Sequence, residues 1–292
     1  MLRRLFPFCV FIMTSHVLSA QGRVDCSSMA SHILRQKVRY CASIPPGYDA
    51  KKNRSYPVLY FLHGLNENEQ MLFRMGGWQL IEDLRQQHKI GDFLIVTPDA
   101  KATFDINSAN GRVRYSDFFL QEFIPYIEKT YRADHQTKAR AVSGISMGGY
   151  GALRFAFAYP GLFSAVSAES AALITDTLQE LNAAMRAGTP LVSLFADVFG
   201  NPINAAHWKA TSPFVLAKKN RSAISKLAIY FNCGEGDQFG FEHGAEALHR
   251  ELQAEGIKHE FHLYPGDHSA EYFLSHLGEL IVFHSRAFAS AK

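Results

Sequence analysis

The chain carries almost no surplus charge, its 30 Lys and Arg standing against 27 Asp and Glu. Without a basic face it has no electrostatic footprint for nucleic acid or for an anionic membrane surface. Metal chemistry is not expected either. No His-Glu-x-x-His occurs, and His259-Glu260-Phe261-His262 falls in a predicted strand that sends its two histidines to opposite faces. No glycine-rich loop ends in the lysine that grips a phosphate, so the sequence calls for no nucleotide or other cofactor. Repeats and low-complexity tracts are also lacking, and no apolar run is long enough to serve as a permanent transmembrane anchor.

Cysteine is scarce, at four residues, and its placement matters. Cys9 lies in residues 1–20, where Arg3 and Arg4 precede a short apolar run and the small residues Ser19 and Ala20. That layout is a secretory signal with cleavage after Ala20 and implies a secreted or periplasmic protein. Its removal leaves 28 basic residues against 27 acidic ones, a net charge of +1. No cysteine follows the small residues as lipid attachment requires, so export without a membrane anchor is expected. Cys26 and Cys41 flank a predicted hairpin that turns near Leu34 to Gln36, which leaves them either bridged across the two strands or as two free thiols. Cys233 stands alone at a strand end, where a small buried apolar role is its default.

What the chain does have is alternation. Apolar runs at Tyr56–Leu62, Phe93–Pro98, Phe163–Ala168, Lys226–Asn232 and Lys258–Tyr264 read as buried strands. Between them lie helical stripes. One carries Trp78, Leu80, Ile81 and Leu84 and is closed by Gly91; another runs from Asp117 to Tyr131, with Pro125 kinking it or falling in its first turns. Strand–helix alternation over residues 21–292 predicts one α/β domain around a mostly parallel sheet. Residues 173–215 interrupt the pattern with helical segments broken by Pro190, Pro202 and Pro213. They read as a lid or substrate wall, or as an ordinary packing helix pair.

Residues 139–159 organise the rest. A short buried strand runs to Ile145, a sharp turn carries Ser146, and a helix starts near Met147 with Ala152, Leu153, Phe155 and Ala156 at helical spacing. Gly144, Ser146 and Gly148 make a Gly-x-Ser-x-Gly pattern. A nucleophile at a strand-to-helix junction needs neighbours without a Cβ, because bulk there would strike the elements closing around it.

A serine hydroxyl needs a base to take its proton and a carboxylate to orient that base. Asp237 and His268 each follow a predicted strand, 91 residues after Ser146 and 31 residues further on. The order Ser, Asp, His is the one an α/β sheet uses to present such a triad. Among the 13 histidines, His63 is better suited to shaping its own loop, and His243, His249, His262 and His284 fall where the pattern turns them outward or into packing. Glu235 and Asp267 compete with Asp237, but Asp267 is too close to His268 in sequence to support it. For a developing oxyanion, the backbone amides of Met147, after the nucleophile, and Leu65, after His63-Gly64, stand in the right places.

These segments resemble the esterase D group of α/β-hydrolases, which includes S-formylglutathione hydrolase, secreted feruloyl and acetylxylan esterases and the mycolyl acyltransferases. The likeness covers most of the chain after residue 20. It rests on Ile44-Pro45-Pro46-Gly47-Tyr48, Leu62-His63-Gly64-Leu65, Gly144 to Leu153, Cys233 to Asp237 and Tyr264 to His268. It implies the α/β-hydrolase fold, Ser146 as nucleophile, Asp237 as acid, His268 as base, and Leu65 and Met147 as oxyanion donors. The activity expected is an exported serine carboxylic-ester hydrolase working through an acyl-enzyme, on acylated carbohydrate or feruloyl esters. An acyltransferase or a non-catalytic binding protein on the same fold is the alternative. The predicted leader argues against a cytosolic formylglutathione role. The sequence leaves the acyl group, the alcohol and the oligomeric state open.

Overall fold

The computed structural model describes residues 21–173, 179 and 192–290. The predicted leader and part of the 173–215 segment lie outside the described residues. Within them eight strands form one sheet: β1 (Arg23–Ser31), β2 (Gln36–Ile44), β3 (Val58–Leu62), β4 (Leu94–Pro98), β5 (Arg140–Ile145), β6 (Ala165–Glu169), β7 (Ala228–Gly234) and β8 (Glu260–Tyr264). Their spatial order is β1-β2-β4-β3-β5-β6-β7-β8. The β1–β2 and β2–β4 pairs are antiparallel and every other pair is parallel. β3, β4, β5 and β6 are buried along their whole length, as their unbroken apolar runs require.

The strand period of two sorts side chains between two cores. Val58, Tyr60 and Leu62 of β3 enter one, and Leu59 and Phe61 enter the other. Helices cover both faces. They are α1 (Met71–Arg74), α2 (Gly77–Gln86), α3 (Tyr115–Phe118), α4 (Ile124–Thr130), α5 (Met147–Ala158), α6 (Val192–Phe199), α7 (Ala205–Thr211), α8 (Pro213–Lys219), α9 (Arg221–Ile224), α10 (Phe241–Ala254) and α11 (Ala270–Ser290). Ile81 and Leu84 of α2 and Leu277, Leu280 and Ile281 of α11 pack with Leu59 and Phe61. Ile127 of α4, Phe155 of α5 and Leu248 and Leu252 of α10 fill the opposite side. Among the described residues no helix is long and apolar enough to cross a membrane.

Two expectations need correcting. Gly91 does not close α2. The helix ends at Gln86, His88 takes the left-handed conformation (φ 55°), and Lys89 and His88 donate to the Leu84 and Arg85 carbonyls at 2.9 and 3.0 Å. That is a Schellman closure made by histidine, one of the few residues other than glycine that enter this region readily. The helix predicted from Asp117 to Tyr131 is instead α3 and α4 joined by a π-helical turn at Phe119–Phe123. Pro125 has no N–H for the Gln121 carbonyl and its ring crowds that oxygen, so the wider turn just before it relieves both problems. The expected hairpin is present, and Cys26 and Cys41, directly opposite in the β1–β2 ladder, are joined by a disulfide.

A buried carboxyl lies beneath α5. Asp105 is fully buried, and neither carboxylate oxygen has a hydrogen-bond partner among the described residues. A Cβ on Gly151 would come within 2.6 Å of the Asp105 Cβ, so the helix can pass here only with glycine. Burial pushes this carboxyl up to about 7, against the pull of the Arg154 guanidinium. The folded chain therefore keeps a proton that the unfolded chain releases near pH 4, and stability falls as pH rises from about 4 to about 7. The loss across that window is on the order of 4 kcal/mol. Asp105→Asn should flatten this part of the stability profile in urea unfolding at pH 5 and pH 8. The difference between wild type and variant isolates Asp105, because buried Glu169, also pushed up by burial, acts in the same sense. Equal slopes in the two proteins would discard the assignment.

Candidate active site

β3, β5, β6, β7 and β8 run parallel, so the loops after them leave the same sheet edge. The chain passes from β3 out to β4 and returns to add β5 on the other side of β3. That reversal opens a crevice between the loops after β3 and β5, the place where open α/β sheets hold ligands.

Ser146 sits at the turn between β5 and α5 with φ 55° and ψ −116°, a conformation costly for any residue with a Cβ. Its backbone is pinned. The amide donates to the Glu169 carbonyl at 2.9 Å, and the carbonyl accepts from the Tyr150 and Ala172 amides at 3.0 Å each. A Cβ on Gly144 would lie 2.8 Å from the Gly149 nitrogen, and one on Gly148 would lie 2.7 Å from the His63 carbonyl oxygen. Strand, turn and helix thus close on one another through these two glycines, which leaves the Ser146 side chain facing the crevice.

The structure brings Ser146, Asp237 and His268 together. His268 Nε2 lies 2.9 Å from Ser146 Oγ, and His268 Nδ1 lies 2.7 Å from Asp237 Oδ2. With the carboxylate accepting from Nδ1–H, the Nε2 lone pair faces the serine hydroxyl. The Asp237 side chain is fully buried. Its Oδ1 accepts from the Phe239 amide at 2.9 Å, and the Cys233 thiol lies 3.7 Å from Oδ2. Burial, with the Asp237 charge next in weight, pushes that thiol up to about 12, which keeps it a neutral S–H beside the carboxylate. The carboxylate on His268 Nδ1 is that of Asp237 and not of Glu235 or Asp267, the competing acids, both of which are exposed. The loops after β7 and β8 are tied by the Gly236 amide on the Gly266 carbonyl at 2.8 Å.

Leu65 and Met147 both line the space in front of Ser146. The Met147 amide opens α5 and is one of the donors that a helix cannot satisfy internally. Leu65 follows Gly64, where an added Cβ would touch the Ser146 Cβ at 3.7 Å. His63 shapes this loop. Its Nδ1–H donates to the Gly64 carbonyl at 2.7 Å, and its Nε2 accepts the Ala100 amide at 2.8 Å. Among the described residues no three His, Cys, Asp or Glu side chains converge as a metal site.

Two clefts open onto the Ser146–His268 pair. One, of about 150 Å³, is walled by Phe104, Ala172, Phe195, Phe239 and Phe241. The other, of about 460 Å³, is walled by Met71, Met75 and Phe273 and rimmed by Glu67 and Arg74, which form an ion pair at 2.5 Å. Phe195 belongs to the 173–215 segment that the sequence marks as a lid or substrate wall, whereas the other wall residues were not singled out from sequence. The rings of Phe239, Phe241 and Phe273 stand edge-on to His268 at 5.0, 5.2 and 5.0 Å. The first two follow Asp237 by two and four residues, a spacing in which the signal was present.

A family model described as "Putative esterase" matches residues 31–282. Esterase Rv1288 of Mycobacterium tuberculosis (strain ATCC 25618 / H37Rv) is 29% identical over 228 residues, which covers 74% of this chain and 49% of that protein. The chain thus spans about half the length of the curated mycobacterial relatives it matches. Among solved structures, a ferulic acid esterase superposes with a TM-score of 0.77 at 26% identity, covering 92% of this chain and 99% of the other. An S-formylglutathione hydrolase from Staphylococcus aureus gives 0.73 at 20% identity over 90% and 99%, a likeness of fold. The eight-stranded, mostly parallel sheet between helices is the α/β-hydrolase fold of these proteins.

Proposed function

The chain belongs to the esterase family whose model spans residues 31–282, and on that basis we propose that it is an exported serine carboxylic-ester hydrolase working through an acyl-enzyme. The observation that carries the reading is the unbroken relay from Ser146 Oγ through His268 to Asp237, at 2.9 and 2.7 Å. In the first half-reaction Ser146 Oγ attacks the ester carbonyl carbon while His268 Nε2 takes the hydroxyl proton. Asp237 steadies the imidazolium, and the Leu65 and Met147 amides receive the charge that gathers on the carbonyl oxygen. His268 passes its proton to the departing alkoxide. Water then repeats the sequence on the acyl-serine and releases the acid.

In this reading residues 1–20 are a signal removed on export to the periplasm or medium, and 21–292 form one domain, with Phe195 of the 173–215 segment walling the site. Acylated carbohydrates and feruloyl-type esters are the substrate class we favour, on the likeness to a ferulic acid esterase at 26% identity. The test is hydrolysis of nitrophenyl acyl esters and methyl ferulate, with free acid as the product measured. Failure to turn over any of these esters would sink the assignment. Transfer of the acyl group to added alcohol in preference to water would replace hydrolase with acyltransferase.

A further inference from the structure

We propose that the two clefts meeting at Ser146 divide the ester between them, the aromatic cleft holding the acyl group and the cleft rimmed by Glu67 and Arg74 holding the alcohol. This rests on the serine-esterase reading and deepens it. The division follows from what each half of the substrate must do. The acyl group stays attached to Ser146 through both half-reactions, while the alcohol departs and water enters beside the same histidine nitrogen. The acyl side therefore gains from a closed apolar wall, and the other side must exchange with solvent.

The clefts differ in size and lining. The aromatic one measures about 150 Å³ and is walled by Phe104, Ala172, Phe195 and Phe241, all at most 5% exposed, with Phe239, 49% exposed, on its solvent side. An apolar cavity of about this volume accepts a ring the size of benzene. Leu65 and Met147, whose amides would hold the carbonyl oxygen, stand on its wall. Behind Phe104, Ala172 and Phe195 a small void of about 20 Å³ continues inward to Trp208 and Phe214. The opposite cleft, at about 460 Å³, has three times the volume. Its rim carries the Arg74–Glu67 pair, with side chains 55% and 41% exposed, able to hydrogen-bond a polyol.

Ala172 holds the decisive place. It lines both the aromatic cleft and the void behind it, and its amide is fastened to the Ser146 carbonyl at 3.0 Å, so its Cβ cannot retreat from the nucleophile. The geometry assigns Ala172 and Phe195 as the residues that set acyl size, and Arg74 as a residue that selects the alcohol.

The experiment measures kcat/KM on two substrate series. In the first, the alcohol is fixed as nitrophenol and the acyl group runs from acetyl through butyryl to octanoyl and cinnamoyl. Ala172→Leu should lower the octanoate-to-acetate and cinnamate-to-acetate ratios by about tenfold or more, within the range that a few methylene groups command in an apolar pocket. Phe195→Ala should move the same ratios upward. Opposite signs cannot come from a general loss of folded protein, which lowers every ester together. In the second series the acyl group is fixed as acetyl, and a fully acetylated monosaccharide is compared with nitrophenyl acetate. Arg74→Ala should lower the sugar-to-nitrophenyl ratio and leave the acyl ratios of the first series where they were. Unchanged acyl ratios in both cleft variants overturn the division while the esterase reading stands. Acyl ratios that respond to Arg74→Ala reverse it. No turnover of any ester by the wild type removes the esterase reading and this proposal with it.

Discussion

Ser146→Ala keeps its fold and loses at least about four powers of ten in kcat/KM toward any ester the wild type hydrolyses. The substitution deletes one oxygen, and among the described residues that oxygen is the only atom to which His268 Nε2 is hydrogen-bonded. Without it the imidazole has no proton to take, and the buried Asp237 orients a base that has nothing to activate. The Leu65 and Met147 amides remain, so a residue of catalysis by water survives, as it does when the nucleophile is removed from other triads. Stability should change little. The elbow is held by backbone bonds to Glu169, Tyr150 and Ala172, which the side chain does not make, and alanine meets the same cost at φ 55° as serine. Thermal unfolding of the variant should fall within a few degrees of wild type. Retention of more than about one part in a hundred of the activity would show that the attacking atom lies elsewhere.

Gly148→Ala should be severely damaging to folding. On helix propensity alone it would gain about 1 kcal/mol, since alanine outranks glycine inside a helix. Packing decides the other way. The new methyl would stand 2.7 Å from the His63 carbonyl oxygen and closer still to the Leu62 carbonyl, and these are backbone atoms at the end of β3. β3 cannot yield, because it is hydrogen-bonded to β4 on one side and β5 on the other. The helix must back away, which opens the elbow and shifts the Leu65 loop together. A loss of more than about 4 kcal/mol is expected, in the range that marks a named structural fault rather than an ordinary substitution. Urea unfolding measures it directly. A variant as stable as wild type would mean that α5 does not approach β3 as closely as described.

Which parts of this could be read from residue order depends on where the controlling contacts lie. The elbow is local: its strand, turn and helix are contiguous, and the glycines sit where the clash would be. Asp237 and His268 are distant in sequence, yet each follows a buried strand of a parallel sheet, and strand ends on one edge are brought together by topology alone. Strand positions were legible to within about two residues, since β6 and β7 begin two residues later than their apolar runs and end one and two residues beyond them. The rest depended on contacts that no local pattern carries. The π-turn before Pro125 answers a steric problem whose solution, a kink or a widening, is chosen by packing. His88 could close α2 because a left-handed histidine costs only moderately more than a glycine. Asp105 reads as a loop carboxylate until α5 is laid over it. The aromatic wall of the smaller cleft gathers Phe104, Ala172, Phe195 and the Phe239–Phe241 pair from four separate stretches, and only the assembled fold makes them neighbours.

The disulfide between Cys26 and Cys41 sits inside the nine-pair ladder of β1 on β2, at its fourth rung. A slip of one residue there would turn every β1 side chain to the wrong face, and a covalent rung forbids the slip. The same bond keeps β1 from peeling off as a unit, so the outer hydrogen-bonding edge of β2 is never offered to another molecule. A hairpin fastened in this way leaves β1, not β2, as the edge that a foreign strand would meet on that side of the sheet. In reducing surroundings β1 can part from its neighbour, and the longer-buried edge of β2 becomes available for pairing as well.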